Sequence, residues 1–238
     1  MASTERIIRA AARNNAEWCA LMSRAHGVAG RLEDEAWVAA ARAPVYFPEA
    51  VTLAPGADPA GLAARIDTAL PGASIKDSFA DLDLAEEGFE VLFEAQWIHR
   101  TAGTPLLGPG PVWEVIADAD RLRDWALAWD NGDGHADLFR PELLLDPATF
   151  ILAGYHEDGE LLGGAVASCS DELVGISNVF ARHGGPEVSW PLVLDAVTSL
   201  FPTKPVVGYE HGEDLATAVR HGFETLGPLR VWVHRAHG

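Results

Sequence analysis

Residues 88–100 read GFEVLFEAQWIHR and residues 222–235 read GFETLGPLRVWVHR. Both open on Gly-Phe-Glu, carry a leucine four positions after the glycine (Leu92, Leu226) and close on Trp-x-His-Arg, with one extra residue in the second copy. The likeness extends upstream. Residues 58–70 and 187–200 both read as helices, with Leu62, Ile66 and Leu70 matching Leu192, Ala196 and Leu200 at i, i+4 and i+8. Each stops at a proline, Pro71 or Pro202. Each is followed by a short strand (73–79; 205–210), an acidic-headed helix (81–87; 213–221) and then the Gly-Phe-Glu strand. A shared order of this kind predicts two related units in one chain.

Composition bounds what such units can do. The chain has 238 residues, enough for one large or two small domains with a real core. Its formal charge of −18 argues against a nucleic-acid surface, because counterion release needs clustered Lys and Arg. The same charge disfavours an anionic membrane. Cys19 and Cys169 are the only cysteines and stand far apart, which fits a reducing compartment. Residues 1–13 lack an apolar signal core, and no run approaches the roughly eighteen apolar residues of a spanning helix. The expectation is a soluble cytoplasmic protein.

The clearest boundary is TAGTPLLGPGP at 101–111, whose glycines and prolines cannot continue a helix or a central strand. Before it, residues 14–26 read as a helix with Trp18, Leu21 and Met22 on one face and Gly27 as the stop. Residues 31–41 read as a second helix carrying Trp37, and 44–53 as a strand interrupted by Pro48. After the linker, 112–117 reads as a strand and 118–129 as a helix with Leu122, Trp125 and Trp129 on one face. NGDGHAD at 131–137 is a turn, and 138–145 a short helix. Residues 150–156 and 161–168 form a hairpin around Glu157-Asp158-Gly159, and 173–180 adds a third strand. This is an α+β order around a mixed, mostly antiparallel sheet flanked by helices, complete in the carboxyl half and partial in the amino half. The eight tryptophans read as core, and Glu33-Asp34-Glu35 and the acids of 81–87 as helix-start charges.

The order of strands and helices in 112–235 resembles the GNAT acyltransferase superfamily. Leu161-Leu162-Gly163-Gly164-Ala165-Val166 is similar to that family's third strand, and Ala218-Val219-Arg220-His221-Gly222-Phe223-Glu224 to the helix end before its sixth. The resemblance implies a degenerate GNAT-like domain at 1–104 and a full one at 112–238. It implies acyl-CoA, acetyl-CoA above all, as cosubstrate, transfer to a small-molecule amine, and no metal. In that family a basic, glycine-rich loop and the helix N-terminus after it cradle the pyrophosphate. The matching segment here is Ala181-Arg182-His183-Gly184-Gly185-Pro186-Glu187. Arg182 and Gly185 fall on its first two marks, whereas Glu187 stands where glycine or alanine belongs and Pro186 removes an N–H donor.

By the same resemblance, Asn178, Val179 and Phe180 lie along the pantetheine, and Arg182, Gly184, Gly185 and His211 complete the donor site. The main chain of 177–180 is expected to hold the thioester carbonyl. The family's usual acid, a tyrosine four residues before the Gly-Phe pair, is replaced by Ala218. Tyr209 and Glu210 are the nearest candidates, Tyr209 for protonating the thiolate and Glu210 for orienting or deprotonating the amine. An acidic protein suits a cationic amine. Glu187 and Ala218 motivate a rival, a GNAT-like module that binds a ligand or protein without catalysis. An aminoacyl-tRNA-dependent amide-forming transferase is a further rival, opposed by the charge. The nine histidines show no His-x-x-x-His or Cys-His spacing of a metal site, and there is no Walker loop, dinucleotide fingerprint or nucleophile elbow.

Overall fold

The computed structural model describes residues 2–108, 111–130 and 135–235. Most of the turn read at 131–137, and residues 109 and 110 of the linker, therefore lie outside the described residues. The chain forms two compact units, Met1–Trp97 with Leu226–Gly238, and Ile98–Thr225.

In the first unit α1 (Ala2–Ala25) precedes a meander of β1 (Gly30–Leu32), β2 (Ala36–Ala39) and β3 (Ala50–Thr52). The one-turn helix α2 (Pro59–Ala63), β4 (Ser74–Asp77) and β5 (Phe89–Arg100) follow. β1–β2 and β2–β3 are antiparallel and β3–β4 parallel. In the second unit come β6 (Val112–Val115), α3 (Ala119–Trp129), a 3-10 turn (Pro141–Leu145), β7 (Thr149–Tyr155), β8 (Leu161–Cys169) and β9 (Val174–Ala181). They are followed by α4 (Pro186–Leu200), β10 (Val206–Glu210), α5 (Gly212–Arg220) and β11 (Glu224–His234). Here β7–β8 and β8–β9 are antiparallel and β9–β10 parallel. Two antiparallel steps and then a helix-bridged parallel step thus occur in both units, and the sheets are mixed, as the sequence implied.

β11 counts with the first unit from Leu226 onward, where it pairs antiparallel with β4. The end of β5 counts with the second, where Ile98 lies against Gly208 of β10. The two copies of the motif make matching contacts in this arrangement. The Arg235 N–H donates to the Gly88 carbonyl, and the His234 ring meets Phe89 edge-on at 5.1 Å. The Arg100 guanidinium donates to the His221 carbonyl, beside Gly222.

Several expectations for the amino half are corrected. Residues 31–41 form the hairpin of β1 and β2, and Glu33-Asp34-Glu35 lies at its bend; strands of three and four residues, with β2 buried throughout, are too short to show a period. The amino half thus carries a short meander of its own. The helix expected at 58–70 ends at Ala63. Leu62 and Ile66 are buried but Leu70 is 71 % exposed, and the Asp67 carboxylate accepts the Ala69 N–H to turn the chain. The helix expected at 81–87 is absent. The buried Asp77 carboxylate accepts the N–H groups of Phe79, Asp81 and Leu82, which satisfies the backbone without a helix. The strand expected at 44–53 is confined to Ala50–Thr52, and the first helix runs from Ala2 rather than Asn14.

In the second unit α3 and α4 cover opposite faces of the sheet. A Cβ on Gly154 would strike Leu192 of α4, and one on Gly164 would strike the Trp125 ring of α3. Gly164 pairs with Ala153, the neighbour of Gly154, and neighbours along a strand point oppositely. Gly164 is required by close approach, because its Cβ would lie 2.3 Å from both the Leu152 carbonyl oxygen and Trp125 Nε1. That space lets the Trp125 indole N–H donate to Leu152 O at 2.9 Å. The main core lies on the α4 side, where Trp190, Leu192, Val193, Leu194 and Val197 meet Val174, Ile176, Val206, Ala218 and Phe223. Six of the eight tryptophans are buried, with Trp113 and Trp129 at intermediate exposure.

Candidate functional site

The parallel pair at the centre of the second unit separates as it runs. β9 and β10 are in register only at Val174–Val206 and Gly175–Val207, while β9 continues to Ala181 and β10 to Glu210. A bulge accompanies the parting. Val166 pairs with Ser177 and Gly164 with Phe180, so Ala165 stands against both Asn178 and Val179. Asn178 takes φ +54°, a left-handed conformation that asparagine tolerates better than most residues. The bulge also resets the strand's facing. Val174, Ile176 and Val179 pack on the α4 side, while Phe180 meets Trp125 edge-on at 5.1 Å on the α3 side. A bulged stretch beside a diverging strand leaves main-chain groups outside the ladder, which is what a bound extended chain needs.

Tyr209 and Glu210 end β10 at this opening, both half-buried. Val206 belongs to the α4-side core and a Cβ on Gly208 would face Ile176 and Ile98 of the same core, so Glu210 faces that side as well. Tyr209 faces the other. The two expected proton-transfer groups are thus brought to one strand end but set on opposite faces. Burial pushes the Glu210 carboxyl up to about 8, and the nearby Asp214 carboxylate of α5 adds to the shift. Ala218 is fully buried in the α4-side core.

At the far end of β9, Gly184 and Gly185 take φ +81° and +63°, a pair of conformations open to glycine and strained for side-chain-bearing residues. Pro186 then occupies the first turn of α4, where its missing N–H costs nothing. Glu187 does not cap the helix. Its carboxylate pairs with the Arg220 guanidinium of α5, which holds it well below the usual carboxylate range. Arg182 is exposed and 3.6 Å from Glu160, and its N–H donates to the Leu162 carbonyl. His211 is exposed at the start of α5 and supplies no side-chain cap. A cavity of about 690 Å³ opens on the α3 side, lined by Arg121, Trp125, Tyr155, Leu161, Arg182 and His183 among others. Neither Asn178 nor Glu210 is among its described lining residues.

The structure brings Asn178, Val179, Phe180, Tyr209 and Glu210 to the parting of β9 and β10, puts Arg182, Gly184 and Gly185 at the turn before α4, and leaves His211 at the exposed start of α5. Three contributors escaped the sequence reading: Asp214, Trp125 as the partner of Phe180, and Arg220. An acid at the fourth position after Glu210 was the one available signal for Asp214, since Glu210 directly precedes an acidic helix start.

No protein-family model matches the chain, and no curated protein matches it in sequence. Solved structures do. A GCN5-related N-acetyltransferase from Kribbella flavida superposes with a TM-score of 0.64 at 17% identity, over 95% of this chain and 96% of that one. A structure from Novosphingobium aromaticivorans assigned to the GNAT family gives 0.55 at 16% identity over 92% and 96%. A GCN5-related N-acetyltransferase-like protein from Streptococcus suis gives 0.52 at 15% identity over 87% and 88%. The chain has the GNAT fold.

Proposed function

We propose that the second unit transfers an acyl group, acetyl being the simplest, from acyl-CoA to a small-molecule amine, and that residues 1–104 are a degenerate copy of the domain at 112–238. The observation that carries this reading is the opening between β9 and β10, with a bulged strand on one wall and a carboxyl that stays protonated near neutral pH at its mouth. The residues fit the donor. The Gly184-Gly185 turn and the uncapped N-terminus of α4 offer an anion a helix dipole. Val179 lies on the same side, along the path a pantetheine arm would take.

The reaction needs a neutral amine, support for the carbonyl oxygen and a proton for the departing sulfur. On this reading the amine approaches from the α3 side and its lone pair forms the C–N bond at the thioester carbon. Main-chain N–H groups of 177–180 hold the oxygen as it gains charge. The C–S bond breaks, the sulfur takes the Glu210 proton, and the proton shed by the new amide nitrogen passes to solvent, from which Glu210 is recharged. Glu210 suits the role because a carboxyl at about 8 is close to an ordinary thiol, near 8.5, so transfer runs nearly level. This gives the acid's part to Glu210 rather than Tyr209, following their opposite faces on β10. Tyr209 is left beside the incoming amine.

The deciding experiment is calorimetric titration with acetyl-CoA, followed by thiol-release assays over a panel of amines. Micromolar donor binding and a turned-over amine are expected. Absence of donor binding would overturn the reading. Donor binding with no amine turned over would favour a non-catalytic binding module, for which the buried Ala218 is the one supporting feature.

A further inference from the structure

The donor loop carries a contradiction at Glu187. A carboxylate in the first turn of α4 lies where a pyrophosphate is expected to sit, and like charges there repel. The surrounding side chains answer it. Arg220 reaches from the last turn of α5 with one guanidinium nitrogen, Nη2, which donates to Glu187 Oε1 and, at 2.8 Å, to Thr217 Oγ1. Thr217 is itself fixed, buried and with its hydroxyl donating to the Glu213 carbonyl at 3.0 Å. Arg220 is thereby clamped through Nη2. The Nε–H and the Nη1 amino group meet no acceptor among the described residues, and the side chain is 55% exposed. Beside it His221 is only 8% exposed, its ring makes no hydrogen bond among the described residues, and its Nε2 points at Glu187 Oε2 from 3.9 Å. A buried, unspent ring nitrogen and a half-spent guanidinium therefore converge on the first turn of α4, against an N-terminus without a side-chain cap.

We propose that Arg220, held over the first turn of α4 by Glu187 and Thr217, is a phosphate-binding residue of the donor site, with His221 beside it. Glu187 in this arrangement is the anchor of the cation rather than a competitor of the ligand. The ion pair cancels the carboxylate charge and leaves the helix dipole available, and the guanidinium keeps its Nε–H and its Nη1 amino group as donors for phosphate oxygens. The inference rests on the acyltransferase reading and names the residue by which that site selects a phosphate-bearing donor. Arg182, tied to Glu160 on the other side of the loop, is then not the sole cation of the site.

The test compares acetyl-CoA with S-acetylpantetheine, which has the thioester arm and no phosphate, on the full chain. Arg220→Gln should weaken acetyl-CoA at least tenfold and leave S-acetylpantetheine binding unchanged within twofold. Arg220→Lys keeps the charge without the fork and should fall between. Glu187→Gln should also weaken acetyl-CoA, because releasing the anchor outweighs removing the negative charge. Melting curves matching the parent would show that the exposed substitutions leave the fold intact. Equal acetyl-CoA affinity in parent and Arg220→Gln would overturn the role of Arg220 while leaving the acyltransferase reading in place. So would tighter binding in Glu187→Gln, which would make the carboxylate a repellent. Failure of the parent to bind acetyl-CoA would remove both.

Discussion

Replacing Glu210 by glutamine keeps the shape of the side chain and removes its titration, so it tests both the environment and the chemistry assigned to that carboxyl. Burial and Asp214 move the group from an ordinary value of 4.5 to about 8. At about 1.4 kcal/mol per pH unit, that gap corresponds to an upper figure on the order of 3–5 kcal/mol. Because the side chain is only partly removed from water, the measurable share should be roughly 1–3 kcal/mol. The sign follows from the direction. A carboxyl raised on folding binds its proton more tightly in the native state, so its contribution is complete below about 4.5 and is lost as pH rises to about 8. The parent should therefore lose stability relative to Glu210→Gln between pH 5 and 8, in urea unfolding followed by tryptophan fluorescence. If the carboxyl supplies the proton as proposed, the parent's kcat should fall as pH rises through about 8, and Glu210→Gln should lose roughly 10²–10⁴-fold at its best pH. A stability difference that does not vary with pH would refute the raised value. A variant rate within twofold of the parent would remove Glu210 from proton transfer, whatever its pKa.

Three further outcomes follow from the same geometry. Asp214→Asn removes the second cause of the Glu210 shift and should move the falling limb of the rate profile to lower pH, read from kcat between pH 6 and 9. Tyr209→Phe, on the amine's side of β10, should raise KM for the amine with kcat within a few-fold; a loss of kcat with KM unchanged would return the acid's role to Tyr209. Gly164→Ala should destabilise the fold by about 1–3 kcal/mol in chemical denaturation, since its Cβ would lie 2.3 Å from both the Leu152 carbonyl and the Trp125 ring, and an unchanged midpoint would contradict that crowding.

What the sequence disclosed and what it hid divide along element length. In residues 112–235 the strands and helices are long enough for their periods to show, and α3, α4, α5, β7, β8 and β10 lie within two residues of where hydrophobic spacing and turn residues put them. In residues 28–87 the elements are three to five residues long, below the length at which a period of 2 can be told from one of 3.6. There polar side chains decide the path. Asp77 gathers three backbone N–H groups, and Glu49 accepts those of Ala43, six residues away, and of Ser74, 25 residues away. Neither arrangement leaves a hydrophobic period in the sequence. Lys76 is buried beside α1, donating to Asn15 at 2.7 Å, a partner 61 positions away.

The Gly-Phe-Glu echo reported two strands correctly but not where they go. Each copy is an extended segment after a glycine at positive φ, Gly88 at +81° and Gly222 at +88°, and both continue to a Trp-x-His-Arg end. Local sequence fixes that much, because glycine opens the turn and alternation of buried residues sustains the strand. Which strand each one joins is a matter of two nearly equivalent edges. β4 and β10 both follow a parallel step, so the strand after either one matches both, and register alone does not choose. The contacts at the strand ends do. Arg100 is 2% exposed and spends its guanidinium on the carbonyls of Thr104, Pro105 and His221, which binds the chain leaving β5 to the end of α5. Its counterpart Arg235 pairs instead with Glu90 at the surface. A buried cation without a carboxylate is costly unless carbonyl dipoles surround it, and the end of α5 supplies one of the three that Arg100 uses. That bond ties the end of β5, from Ile98 on, to α5, the helix that carries Asp214 and Arg220.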